Sequence, residues 1–123
     1  MNKVFRQGAI LLIAGSLMVA QESFAAKGWV TNALITKVQA SNDGKWGECM
    51  AFLTKRNSSL DCSNWVTFDC AGDVEGNTKA AGNAKYNTAQ LALVTGNRSQ
   101  VFLNDSIKIN GQCFAERIQV LNR

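Results

Sequence analysis

Four cysteines, Cys49, Cys62, Cys70 and Cys113, constrain this chain of 123 residues more than any other feature. An even set of thiols points to a metal site or to a pair of bridges. Zinc ribbons use closely spaced cysteine pairs, whereas here 12, 7 and 42 residues intervene. The sequence also has no histidine to complete a mixed ligand set. The reading is therefore two disulfides and no metal, with three connectivities open.

Bridges of this kind need an oxidising compartment, and the N-terminus has the layout of an export signal. It has a basic start (Lys3, Arg6), an apolar run from Gly8 to Ala20, and a polar end, Ser23-Phe24-Ala25, with small residues where a signal peptidase reads. The apolar run of 13 residues is well short of the roughly 20 that span a bilayer, so stable membrane insertion is not expected. We expect residues 1–25 to be a signal peptide and residues 26–123 to be one domain, periplasmic or secreted. A domain of 98 residues buries only about 60 to 68% of its unfolded surface, so cross-links add useful stability. Without the leader, 11 basic and 8 acidic residues leave a net charge of +3, scattered along the chain. No basic stripe interleaves with aromatics, and nucleic acid is not an expected partner.

Alternation marks the strands. Residues 29–40, WVTNALITKVQA, place Val30, Leu34 and Val38 on one side. Ser41-Asn42-Asp43-Gly44 then supplies a reversal. Residues 49–55 and 64–70 flank a polar loop, and setting Cys49 against Cys70 also sets Ala51 against Phe68 and Leu53 against Val66. That register gives one continuous apolar face and favours Cys49–Cys70, leaving Cys62–Cys113 as the second bridge. Residues 77–95 change to helix formers, with Asn77 or Thr78 as the cap, Gly96 as the stop and Gly82 as a weak point. Asn110-Gly111 is a strong hairpin signal, and centring a turn there pairs Val101 with Val120, Leu103 with Ile118 and Ile107 with Phe114.

Three strands, one helix and two strands make a mainly β (α+β) chain with the element order of a five-stranded OB-fold-like barrel. Closure of such a barrel removes exposed edges, which suits an exported protein.

The chemistry available is narrow. Without histidine, the usual general base and the partner of a nucleophilic serine or cysteine are missing, so no catalytic residue, no enzyme activity and no cofactor are expected. Two carboxylate pairs remain, Asp69 with Asp73 and Asp105 with Glu116. The second pair faces across the last hairpin in the register above, where either like charges raise one pKa or the register bends. Trp46 lies between Lys45 and Gly47 beside a turn, where a large ring is either a stacking platform or a plug over the barrel mouth. Trp29 and Trp65 are the other indoles, Trp65 opposite Thr54 reading as core or interface. The ligand-binding candidates are Trp46, Lys45 and Trp65. Asn57-Ser58-Ser59 matches a glycosylation acceptor and reads here as loop chemistry.

The stretch from Tyr86 to Leu121, with AQLALVTG followed by SQVFLND and CFAERIQVL, resembles in layout the B subunits of bacterial AB5 toxins. The resemblance implies a small exported OB-fold protein that forms a pentameric ring and binds cell-surface glycans. It carries no receptor-binding residue over to this chain. The strings NWVTFDC and CFAERI also resemble small exported proteins of Gram-negative bacteria, a resemblance that implies no function. The expectation is an exported, disulfide-bonded module that binds a glycan and forms a homo-oligomer. The alternative is a monomeric periplasmic protein that binds or inhibits another protein.

Overall fold

A computed structural model describes residues 26–54 and 59–122. The expected signal peptide and Asn57 of the acceptor triplet lie outside the described residues. The elements run β1 (Lys27–Ala40), β2 (Cys49–Thr54), β3 (Trp65–Thr67), α1 (Lys79–Thr95), β4 (Ser99–Ile109) and β5 (Gln112–Val120). The strands close a barrel in the order β1-β2-β3-β5-β4, and the β3–β5 contact is the parallel one.

One strand, β1, serves both sides of the closure. Its first half pairs with β4 and its second half with β2. A strand that curls this far must break its own alternation, and β1 does so twice, between Val30 and Ala33 and between Ile35 and Lys37. Asn32 takes a positive φ of 54° at the first break, a conformation that asparagine tolerates better than most residues. The inward set is therefore Val30, Ala33 and Ile35, with Val38 packed against the core, rather than the expected Val30, Leu34 and Val38.

Both hairpins also depart from the simple registers. In β2–β3, Ala51 faces Val66 and Phe52 faces Trp65, two residues from the expected alignment. An even slip leaves every side chain on its original face, so the apolar pattern fixes parity and not register. Trp65 accordingly faces Phe52 and not Thr54. Cys49 and Cys70 still bond, with Cα atoms 5.6 Å apart, because the chain turns at Asp69 (φ 57°) and brings Cys70 back beside Cys49. Cys62 and Cys113 form the second bridge, also at 5.6 Å. The described residues contain no free cysteine, so no thiolate is left for a metal.

In β4–β5 the expected register holds at the turn, where Ile109 faces Gln112 and both Asn110 (φ 50°) and Gly111 (φ 84°) are left-handed, as a two-residue turn of this twist requires. It then shifts between Asn104 and Lys108 and again at Leu103, so that Val101 faces Ile118 and Ser99 faces Val120. Val101–Val120, Leu103–Ile118 and Ile107–Phe114 are thus not the pairs formed.

Helix α1 lies against the barrel through its smallest residues. Thr78 caps its start by accepting from Ala81 N, and Gly96 (φ 68°) ends it by donating to Ala92 O. Its buried residues are Gly82, Ala89 and Ala92. A β-carbon on Gly82 would stand 2.4 Å from the Asp69 carbonyl oxygen, so the glycine that weakens the helix pattern is what lets the helix approach. Behind it, Phe68 is the largest fully buried side chain, its ring 6.5 Å from that of Tyr86.

Candidate functional site

The turn that presents Trp46 is fixed at each step. Asp43 accepts from Ser41 Oγ at 2.9 Å and from Lys45 N at 3.2 Å, and these bonds, that to Lys45 N foremost, hold its carboxyl below the usual range. Gly47 and Glu48 follow with φ of 71° each. Thr67, fully buried on β3, donates to the Trp46 carbonyl at 2.7 Å and ties the turn to the sheet. There is no room for a larger residue at 47, because a β-carbon would lie 2.6 Å from Thr67 Oγ1.

Trp65 stands on the outer face of the same sheet. It meets Phe52 edge-on at 5.3 Å, and the Lys37 ammonium lies 5.1 Å above the Phe52 ring. Together Trp46 and Trp65 line one shallow cavity of about 150 Å³ with Met50, Gln39 and Gln112. Met50 is almost fully buried beneath the two indoles, and Ser63 Oγ hydrogen-bonds the Gln112 side chain. Two rings that the sequence singled out separately therefore converge, with an amide on either side. Lys45 is exposed in the turn and does not line the cavity. Trp29 sits apart on β1, edge-on to Phe102 at 5.2 Å, with the Arg117 guanidinium over that ring.

The carboxylate pairs do not form. Asp69 is fully buried and accepts from Asp73 N, Val74 N and Asn77 Nδ2 at 2.8 to 3.0 Å, so Asp73 contributes its backbone rather than its charge. Asp105 lies where the β4–β5 register shifts and accepts from Ala26 N at 2.8 Å. Glu116 pairs instead with Lys27 at 3.1 Å and accepts from Asn104 Nδ2. Burial pushes Glu116 up, but the Lys27 and Asn104 contacts outweigh it and its carboxyl ends below the usual value. The bend in register, not a shared proton, is what the interrupted apolar face records.

Comparison of the chain with protein-family models, curated proteins and solved structures gives no match.

One group escaped the reading of the sequence. Lys85, half-buried on α1, donates to Asn77 Oδ1 at 3.1 Å and to the Ala115 carbonyl at 2.9 Å, and its ammonium lies 4.3 Å above the Phe114 ring. Burial lowers its pKa to about 8 against the pull of Asp69 and Glu116. The signal was present: Lys85 falls three residues after Gly82 and four before Ala89, on the stripe by which the helix meets the barrel.

Proposed function

We propose that this chain is an exported OB-fold module that binds a carbohydrate on the face centred on Trp46 and Trp65, and that it is a binding protein rather than an enzyme. The closed order β1-β2-β3-β5-β4, with a helix between β3 and β4, supports the OB-fold assignment. In that fold, the face of the second and third strands and the loop joining the first two take oligosaccharides or oligonucleotides. Here those places hold Trp65, Met50 and Trp46.

The observation that carries the reading is the convergence of two indoles between the amides of Gln39 and Gln112. A sugar ring offers an apolar C–H face for an indole and a rim of hydroxyls for amides, and this cavity offers both complements. Its small volume suits a single ring. The two bridges fit an oxidising compartment. Removal of a leader after Ala25 would set the new α-ammonium of Ala26 against the Asp105 carboxylate, 2.8 Å away.

A glycan array probed with the mature chain tests this. Binding to a defined glycan class, weakened about tenfold or more by Trp46→Ala, is the expected result. An array with no bound glycan, or a Trp46→Ala chain that binds as the parent does, refutes it.

A second reading, a protein partner or a ring of copies, is favoured by Leu91 and Val94 on the outer side of α1, which are 56% and 83% exposed. They lie three residues apart on one side of the helix, so a partner seated there would bury both. Sedimentation of the mature chain decides: a multimer that Val94→Lys dissolves supports it, and a monomer at every concentration removes the ring.

A further inference from the structure

Lys85 opens onto a pocket of about 260 Å³ between α1, the loop that follows Asp69, and β5. Its apolar wall is Val74, Ile107 and Phe114, and its polar groups are Asn77, Lys85, Arg117, Glu75 and Glu116. We propose that this pocket binds a carboxylate that carries a short apolar chain, with the carboxylate on Lys85 and the chain against Val74, Ile107 and Phe114.

The starting point is an ammonium that makes no direct ion pair, although Asp69 and Glu116 act on it from further away. An ammonium has three donors, and both hydrogen bonds made by Lys85 go to neutral oxygens, those of Asn77 and Ala115. Among the described residues, no carboxylate lies within ion-pair distance of it. Glu116 is taken by Lys27 and Asn104, and Asp69 by three donors of its own loop. A half-buried cation with no anion in direct contact costs free energy that an incoming anion recovers. The third donor and the Phe114 ring beneath the ammonium define where that anion sits.

The rest of the lining selects the class of anion. Glu75 and Glu116 in the lining oppose a doubly charged phosphate more than a singly charged carboxylate, so the lining favours the carboxylate on Lys85. Three apolar side chains then reward a hydrocarbon tail. A second hollow, lined by Asp73, Lys108 and Ile109, shares Val74, Glu75 and Ile107 with the first, so a tail longer than a few carbons has somewhere to run. Both a free branched acid and the C-terminus of a peptide ending in an aliphatic residue present this chemistry. The pocket shares no lining residue with the Trp46 cavity, and the proposal does not depend on a carbohydrate ligand.

The charged groups around Lys85 are Asp69 from the turn after β3 and Glu116 from β5, with Glu75 and Arg117 also lining the pocket. Because the amine titrates near 8, a bound carboxylate should hold its proton and affinity should fall as pH rises. The test is an NMR titration of the mature chain with 4-methylpentanoate, with 4-methylpentanamide, and with Ala-Ala-Leu bearing either a free or an amidated carboxyl. The expected result is saturable shifts around Lys85 and Phe114 for at least one acid, at least tenfold weaker for the matching amide. Affinity should also drop about tenfold between pH 7 and pH 9, survive in Lys85→Arg and vanish in Lys85→Gln. Whichever acid binds more tightly assigns the source. Amides that bind as well as acids overturn the proposal, as does an affinity indifferent to pH or no binding by either acid. None of these depends on a variant that folds.

Discussion

Trp46 and Trp65 reach their cavity from a turn and a strand that lie close together in the chain, whereas the Lys85 pocket draws on a loop, a helix and the last strand. The first is assembled mostly by local hairpin geometry, with Gln39 and Gln112 added at the rim. The second exists only once α1 has docked, since Lys85 bonds across 30 residues of sequence to Ala115. Rings on a strand and in a turn announce themselves, because a large apolar group there demands an explanation. A lysine in an alanine-rich helix does not. The lesson is that a pocket resting on one close approach between distant elements is both harder to read and easier to break.

The two bridges test that contrast most severely. Cys49–Cys70 closes a loop of 21 residues and Cys62–Cys113 one of 51, so loop-closure entropy alone gives about 3 and about 4 kcal/mol. Cys49 follows the Trp46 turn directly and Cys70 precedes the loop of the Lys85 pocket, so this bridge joins the two regions. Cys62 sits beside Ser63, and Cys113 lies between Gln112 of the tryptophan cavity and Phe114 of the Lys85 pocket. Replacing Cys62 and Cys113 together by alanine should cost more in denaturant unfolding, because it opens the longer loop. Replacing Cys49 and Cys70 should cost less and disturb both regions. A larger loss from the shorter loop would mean that strain or packing, not chain entropy, governs these bridges.

Two glycines break one region at a time. Gly82→Ala would gain up to about 1 kcal/mol on an exposed helix, but here the new methyl meets the Asp69 carbonyl at 2.4 Å, and overpacking of that kind costs about 1 to 3 kcal/mol. The clash is with backbone on one side and helix on the other, so it should win. The expected outcome is net destabilisation in urea, with displaced resonances for Lys85 and Asn77 and an unchanged Trp46 environment. Gly47→Ala should do the reverse: its φ of 71° and the 2.6 Å approach to Thr67 Oγ1 put all the strain into the Trp46 turn. If either variant perturbs both regions equally, the two are one cooperative unit.

How much of this was legible follows from which residues carried local signals. Asn110-Gly111 specified its turn, and Thr78 and Gly96 the ends of the helix, because those residues solve backbone problems wherever they occur. Alternation put Ala51, Leu53, Val66 and Phe68 on one face but could not choose between registers two residues apart. The phase of β1 was misread past Asn32, because the bend that accommodates closure onto both β2 and β4 is a demand of the whole barrel. Asp105 and Glu116 looked paired for the same reason, the irregularity in β4 being invisible in a straight hairpin. Lys85 was missed although its spacing from Gly82 and Ala89 was readable, since only the docked helix shows that the stripe faces inward.

Alkaline pH offers the finest cut between the two regions. The Lys85 amine titrates near 8 in the folded chain, against about 10.5 in an exposed lysine, so between these values the unfolded chain binds more protons than the folded one. Stability contributed by this group should accordingly rise from pH 8 to pH 10.5 and be absent below that window. The full shift would exceed 3 kcal/mol, but the side chain is only partly buried and solvent screening reduces the expected gain to roughly 1 kcal/mol. Lys85→Met, which keeps the stem over Phe114 and removes the titrating group, should flatten this limb of the stability curve. The fluorescence of Trp46 and Trp65 should not follow this titration, since their cavity shares no lining residue with the Lys85 pocket. A rise that persists in Lys85→Met would assign the alkaline effect to another group and remove the sharpest electrostatic difference between the two pockets.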